Sequence, residues 1–290
     1  MVRPCTSLLI STLRLTLVLR FVKLVLPDSP YLGNPHNNLI YVHFVLANRI
    51  GNCDKGLTEM QTRVFPMTMT LKAATESAGK LSTRNSKMPG STFATDAFAC
   101  KVGDKLAKVQ GSVCQSCYAR KIQRLRPSVN VGWSNNQRLA VNLIANAPEK
   151  WVAAMVFQVE KAAIKSGQPF HRWFDSGDLD SVEMLAAICK AAKATPSIKH
   201  WLPTREAGIV KAYRKQGGTV PRNLRIRLSA TMVNDLPVNA AKRLGVSTST
   251  VHKAGESYVG HQCPAPDQNG NCGDCRHCWT SPVNVSYRKH

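Results

Sequence analysis

FHRWFDSGDLDSVEMLAAICKAAKATPSIKHWLPT, residues 170–204, decides the fold class. An aromatic, extended stretch runs into the turn residues Asp175, Ser176 and Gly177. Ser181 then stands where it can cap a helix whose Met184, Leu185, Ile188 and Ala192 fall on one face, and IKHWLPT repeats the extended pattern. Strand, helix and strand at this spacing read as a parallel βαβ unit, because parallel neighbours need a crossover long enough to hold a helix. On the N-terminal side, Pro148 opens a helix in which Trp151, Val152, Met155, Val156, Val159, Ala162 and Ala163 recur at helical spacing until Gly167. On the C-terminal side, AGIVKAYRKQGG reads as a shorter helix closed by Gly217 and Gly218, and NLRIRLSATMV as a third strand. The expected class is α/β: a full or partial (β/α) barrel followed by a cysteine-rich metal-binding segment, with an open doubly wound sheet as the alternative. No G-x-G-x-x-G follows any of these strands, which argues against a dinucleotide fold.

In either architecture ligands bind at the C-terminal ends of the strands. The sequence places Asp175-Ser176-Gly177-Asp178, Thr204-Arg205-Glu206 and Ser229-Ala230-Thr231 there. Asp175, Asp178 and Arg205 are therefore the candidate catalytic residues, while Asp180 and Ser181 also read as caps of the next helix.

The chain has 290 residues, 39 Lys and Arg against 17 Asp and Glu, and a net charge of +22. Its isoelectric point near 9.9 and mean hydropathy of -0.19 make an acidic metabolic enzyme an unlikely class and a polyanionic partner, nucleic acid above all, the first expectation. The apolar run over residues 7–27 is interrupted by Arg14, Arg20 and Lys23, each costing a spanning helix about 2.5 to 3.5 kcal/mol at its centre. No stable membrane span is expected. Residues 1–66 read as a poorly folding extension or the product of a start codon placed too early, 67–97 as a flexible lead-in, 98–258 as the barrel-like core and 259–290 as the cysteine-rich segment.

Ten cysteines are too many for accident and too sparse for a disulfide scaffold of this size. Seven of them fall into two groups. Cys100, Cys114 and Cys117 form the first, and three thiolates can hold a [4Fe-4S] cluster while one iron stays open for a small ligand such as S-adenosylmethionine. Zinc held by these three and one further ligand is the alternative. Cys263, Cys272, Cys275 and Cys278 form the second, a C-x8-C-x2-C-x2-C run with Gly and Asn in its loop, suited to a metal or cluster. The spacing does not choose between iron–sulfur and zinc, and His277 or His290 is an alternative zinc ligand; His261 and His277 read individually as surface residues. Clustered thiols suit a reducing, cytoplasmic compartment.

The CxxCYA element at Cys114–Ala119 resembles the end of the cysteine loop of radical-SAM-like proteins, though 13 residues separate Cys100 from Cys114 where those proteins use a C-x3-C-x2-C spacing. Taken in order, CxxCYA, WFDSGDLDS, the Leu-Pro-Thr-Arg strand, RLSATM, CPAP with CGDCRHCW, and the closing Tyr287 to His290 resemble the phage family called gene product 88 over about residues 98–290. That resemblance implies a phage or prophage origin, and with it the host cytoplasm, and supplies no reaction.

Three functions are compatible with these residues. The first is an iron–sulfur or zinc protein of phage type, a radical-SAM-like enzyme acting on nucleic acid or a nucleotide. The second is a barrel nucleobase transglycosylase with a structural zinc, in which Asp175 or Asp178 attacks the anomeric carbon. The third is a non-enzymatic, zinc-stabilised DNA-binding protein, because AAKRLGVSTSTVHK (240–253) has the small, turn and buried positions of a helix-turn-helix. The competing reading of that stretch is one helix followed by a Thr-rich strand.

Overall fold

The computed structural model describes residues 69–83 and 85–289. The apolar run 7–27, the extension expected over 1–66 and His290 lie outside them. In chain order the helices are α1 (Leu71–Ala78), α2 (Lys101–Leu106), α3 (Tyr118–Leu125), α4 (Pro127–Asn146), α5 (Pro148–Ser166), α6 (Val182–Ala194), α7 (Ala207–Lys215), α8 (Ala240–Leu244) and α9 (His277–Thr280). The strands are β1 (Ser91–Phe93), β2 (Phe170–Trp173), β3 (Lys199–Thr204), β4 (Leu224–Val233), β5 (Ser247–His252), β6 (His261–Gln262) and β7 (Val285–Arg288).

All seven strands form one sheet in the order β1-β2-β3-β4-β5-β7-β6, and every neighbouring pair is parallel. The sheet is open, which corrects the expectation of a full barrel. Its edges are the three-residue β1 and the two-residue β6, too short to pair into a ring.

Period-2 alternation gives the sheet two different faces. Trp173, Leu202, Leu224, Ile226 and Leu228 point to one side, where they form the main core with α1, α4, α5, α6 and α7. The ring centroids of Trp151 on α5 and Trp173 on β2 lie 5.9 Å apart, and Phe93 of β1 meets Trp173 edge-on at 6.2 Å. The expected caps are in place: Gly167 adopts φ 64° after α5, and the Ser181 hydroxyl accepts the Met184 N–H at the start of α6.

The opposite face carries Phe170, Arg172, Trp201, Arg225 and Arg227, and the C-terminal segment lies against it. Trp201 packs with Cys278, Trp279 and Val285. The Trp279 indole N–H donates to the His171 carbonyl on β2 at 2.9 Å, while the Cys278 sulfur sits 3.3 Å from the Tyr287 hydroxyl on β7. Through these two side-chain contacts the four-residue α9 bridges β2 and β7.

Arg227, on the central strand β4, is fully buried, and among the described residues no carboxylate pairs with it. Its Nε donates to the Cys278 carbonyl (3.2 Å), one terminal nitrogen to Thr248 and Val283 (2.9 and 2.8 Å), the other to His277 and Ser281 (2.7 and 2.6 Å). All five guanidinium N–H donors are matched.

Two expectations are corrected. Within the stretch read as a flexible lead-in, the described residues supply α1, whose Ala74 and Ala78 are fully buried, and the first strand. In the cysteine-rich segment, β6 and β7 join the same sheet as the core strands. Residues 247–252 form strand β5 between β4 and β7 and open no recognition helix; the short α8 and the left-handed Gly245 precede them. The β-branched run STSTV prefers a pleated, half-buried surface, and that preference decides the outcome. This removes the structural basis of a helix-turn-helix at 240–253.

Replacing Arg227 by Met is expected to cost about 3–5 kcal/mol in denaturant unfolding, since it strands buried carbonyls, and Arg227→Lys to recover only part, having three donors for five acceptors. A second expectation concerns acid. His171 and His200 are fully buried, and burial depresses both, His200 to about 3 and His171 well below its ordinary value, so the folded state keeps them neutral. The unfolded chain takes up their protons near pH 6.5. Stability is therefore complete above pH 6.5 and falls toward pH 3 by about 1.4 kcal/mol per pH unit for each histidine, measurable as urea midpoints across that range.

Candidate functional site

From β1 the chain crosses the C-terminal ends of the neighbouring strands before entering α3, and the first cysteine group rides on this crossing. Cys100 stands at the N-cap of α2 and Cys117 at the N-cap of α3, with Cys114 buried between them. The Thr95 N–H donates to the Ser176 carbonyl beyond β2 (3.0 Å) and the Val102 N–H to the Glu206 carboxylate beyond β3 (2.8 Å). At the end of β4, the Val113 N–H donates to the Thr231 carbonyl (2.9 Å), and the Val233 N–H to that of Gly111 (3.0 Å). Gly177 makes the first crossing feasible: it has φ +83°, and a Cβ there would lie 1.9 Å from the Thr95 hydroxyl.

The Cys100 and Cys114 sulfurs each lie 3.7 Å from where a side chain on Gly103 would begin, so the glycine keeps the space between them open. Burial, reinforced by Asp178, Cys117 and Cys114, pushes the Cys100 thiol far up, against the pull of Arg205. Burial also raises Cys114, and Arg205 again opposes it. The charges of Asp178 and Arg205 thus reach the same thiols. Burial lifts the Asp178 carboxyl to about 6 even though it accepts hydrogen bonds from the Thr204 hydroxyl (2.6 Å) and the Arg205 and Leu179 N–H groups (2.9 and 2.8 Å). Asp178 consequently ties the β2–α6 loop to the end of β3 and does not cap α6, whereas Asp180 pairs with Lys101. Asp175 accepts the Thr92 hydroxyl at Oδ2 (3.0 Å), its other oxygen is buried without a partner, and its carbonyl accepts the Tyr118 hydroxyl (2.7 Å).

The second group is laid out on β6 and the following loop. The Cys263 N–H donates to the Ser286 carbonyl and the Cys272 N–H to that of Lys87, both at 2.8 Å, and the Cys275 N–H closes a turn on Cys272 (3.0 Å). Burial raises the thiols of Cys263 and Cys272, and the neighbouring cysteines of the group raise each further. Cys278 is pushed up to about 12, chiefly by burial. His261 brings Nε2 to 3.4 Å from the Cys275 sulfur and stacks on His277 at 3.6 Å. His261 is therefore a ligand candidate that its isolated position in the sequence hides. A polar cavity of about 260 Å³ opens beside Cys272, with Lys87, Asn271 and Arg276 in its wall. Among the described residues no three His, Cys, Asp or Glu side chains converge, as they stand, closely enough to hold a metal ion. The donor chemistry of both groups nevertheless suits soft or borderline metals, because thiolate and imidazole are their preferred ligands.

Sequence reasoning missed a row of side chains on the face that carries the second group. Arg172, Trp201 and Arg225 lie side by side in register across β2, β3 and β4, with the Arg172 guanidinium 4.4 Å over the Trp201 ring. Arg172 also faces the Tyr118 hydroxyl and Asp175 on one side and Tyr287 and Cys278 on the other. The signal was the alternation in LRIRL: aliphatic residues at 224, 226 and 228, arginines at 225 and 227.

An open parallel α/β sheet with one cysteine group over its C-terminal edge and a second against its arginine-lined face defines a cysteine-rich α/β protein. The chain belongs to the Gene product 88 family, whose model matches residues 69–281. No curated protein and no solved structure matches it significantly. No helix among the described residues is long and apolar enough to cross a membrane.

Asp178→Asn is expected to lower stability by about 1–3 kcal/mol, because the amide nitrogen would face either the Arg205 N–H or the donors from Thr204 and Leu179. Chemical denaturation of the variant beside the wild type measures it.

Proposed function

We propose that the protein is a radical-SAM-like iron–sulfur enzyme acting on nucleic acid or a nucleotide. In this reading Cys100, Cys114 and Cys117 hold a [4Fe-4S] cluster, and Cys263, Cys272, Cys275 and Cys278, with His261 at hand, hold a second, structural zinc or iron–sulfur site. The open parallel sheet takes the place of a (β/α) barrel in this reading. The carrying observation is the gathering of Cys100, Cys114 and Cys117 at the C-terminal ends of parallel strands, where the charges of Asp178 and Arg205 reach them. Three thiolates fixed by different turns suit a cluster, whose irons stand apart, better than a single ion, which draws its ligands to one point.

When bound, such a cluster supplies the electron that splits S-adenosylmethionine into methionine and a 5′-deoxyadenosyl radical. The chain's own residues do the rest. Arg205 favours the thiolate forms of Cys100 and Cys114, Asp178 holds the backbone of Arg205 in place, and the Gly103 gap leaves room between two ligands. Residues 67–290 carry 32 Lys and Arg against 14 Asp and Glu, which favours a polyanionic substrate. The unpartnered Asp175 oxygen favours a second reading, nucleobase exchange with zinc purely structural, in which Asp175 is the nucleophile.

Protein prepared anaerobically is expected to contain iron and sulfide, to cleave S-adenosylmethionine to 5′-deoxyadenosine after reduction, and to lose that cleavage when Cys100, Cys114 or Cys117 is replaced by Ser. Cys275→Ala is expected to release only the second metal. Zinc without iron at the first group, with no cleavage, overturns the reading in favour of base exchange.

A further inference from the structure

The arginines of this face are of two kinds. Arg227 spends all five N–H donors on backbone carbonyls and is closed to any ligand. One row away, Arg172 meets the weakly accepting Met88 sulfur at 3.4 Å and the Tyr118 hydroxyl, and its Nε is buried without a partner among the described residues. Among the described residues no carboxylate lies within ion-pair distance of it. Its register neighbours repeat the deficit: Trp201 Nε1 is buried and unmatched, and Arg225 gives one bond to the Thr280 carbonyl while its Nε has none. Three adjacent side chains thus offer donors and no acceptor, two of them cationic. Each unmatched buried donor carries an uncompensated loss of hydration, which an acceptor-rich anion relieves.

Arg172 faces Tyr118, which is 53% exposed and stands next to Cys117 at the mouth, its hydroxyl tied to the Asp175 carbonyl. An aromatic face held by its hydroxyl suits stacking by a flat base, and a guanidinium behind it suits a phosphoryl group.

We propose that Arg172, supported by Arg225, receives the phosphoryl group of a nucleotide whose base stacks on Tyr118. The proposal rests on the preceding reading only in calling this ligand the substrate, since binding is measured without cluster or S-adenosylmethionine.

The test is equilibrium binding of a nucleoside 5′-monophosphate, the matching nucleoside and inorganic phosphate to the full chain at moderate salt. The nucleotide is expected to bind at least tenfold more tightly than the nucleoside. Arg172→Gln is expected to remove that tenfold difference while nucleoside binding stays, Arg172→Lys to retain part of it, and Lys253→Gln, at the exposed far side of β5, to change nothing. Tyr118→Leu is expected to weaken nucleotide and nucleoside equally and to leave inorganic phosphate unchanged. Equal affinity for nucleotide and nucleoside overturns the proposal, as does a nucleotide preference that survives Arg172→Gln in protein with wild-type melting. If Arg172→Gln does not fold, Arg172→Lys decides by the same ratio. Loss of cleavage with nucleotide binding intact sinks the enzyme assignment and leaves this site standing; the reverse result separates them in the other direction.

Discussion

The Arg227 guanidinium holds the molecule to its shape. A cation buried on the central strand of a parallel sheet is expensive unless every donor is used, and here five carbonyls from β5 and the C-terminal segment converge on it. Desolvation lowers its affinity for the proton, yet a guanidinium remains charged in any folded protein, so the constraint is permanent. The segment must therefore bend around one point, which places Cys278 and Trp279 against Trp201 and fixes where the second cysteine group stands. The same arrangement lets one short helix tie β2 to β7, through the Trp279 indole on one side and the Cys278 sulfur on the other.

The two cysteine groups occupy different mechanical settings. The first rides on a connection braced at three strand ends, and the Asp96 carboxylate further pins its start by accepting from Phe98, Gln123 and Ser134. The second belongs to a loop whose anchors are the Ser286 and Lys87 carbonyls. Between them lies Arg172, within electrostatic reach of Tyr118 on one side and Cys272 and Cys278 on the other. A charge acquired by the second group is felt by this side chain.

The βαβ repeat was legible in the sequence because β2, β3, β4 and the helices between them show clean periodicity, with Ser181 and Gly167 marking helix ends. The edges were not. The three-residue β1 is too short to show a period, and its hydrogen bonds come from β2 and from Ser82. β6 and β7 hide within a stretch that the cysteines make look like a metal loop. The mouth was half legible: Asp178 and Arg205 were placed by the rule that ligands meet strand ends, and Cys100, Cys114 and Cys117 were grouped by residue type, while the turns that hold them apart along the crossing were not foreseen. Arg172 and Arg225 were invisible as a pair, because their adjacency depends on strand register, which no single strand encodes.

Strand order also dictates an order of assembly. β7 lies between β5 and β6, so the later strand in the chain must insert before the earlier one finds its only neighbour. Until Val285–Arg288 are in place, β5 has an open edge and the loop bearing Cys263 to Cys278 has nothing to close upon. A chain emerging from the ribosome can complete its helix-covered half while this half waits. The thiols of the second group are thus solvent-accessible during synthesis, and capture of an ion at that stage would precede, and could guide, the threading of the final strand.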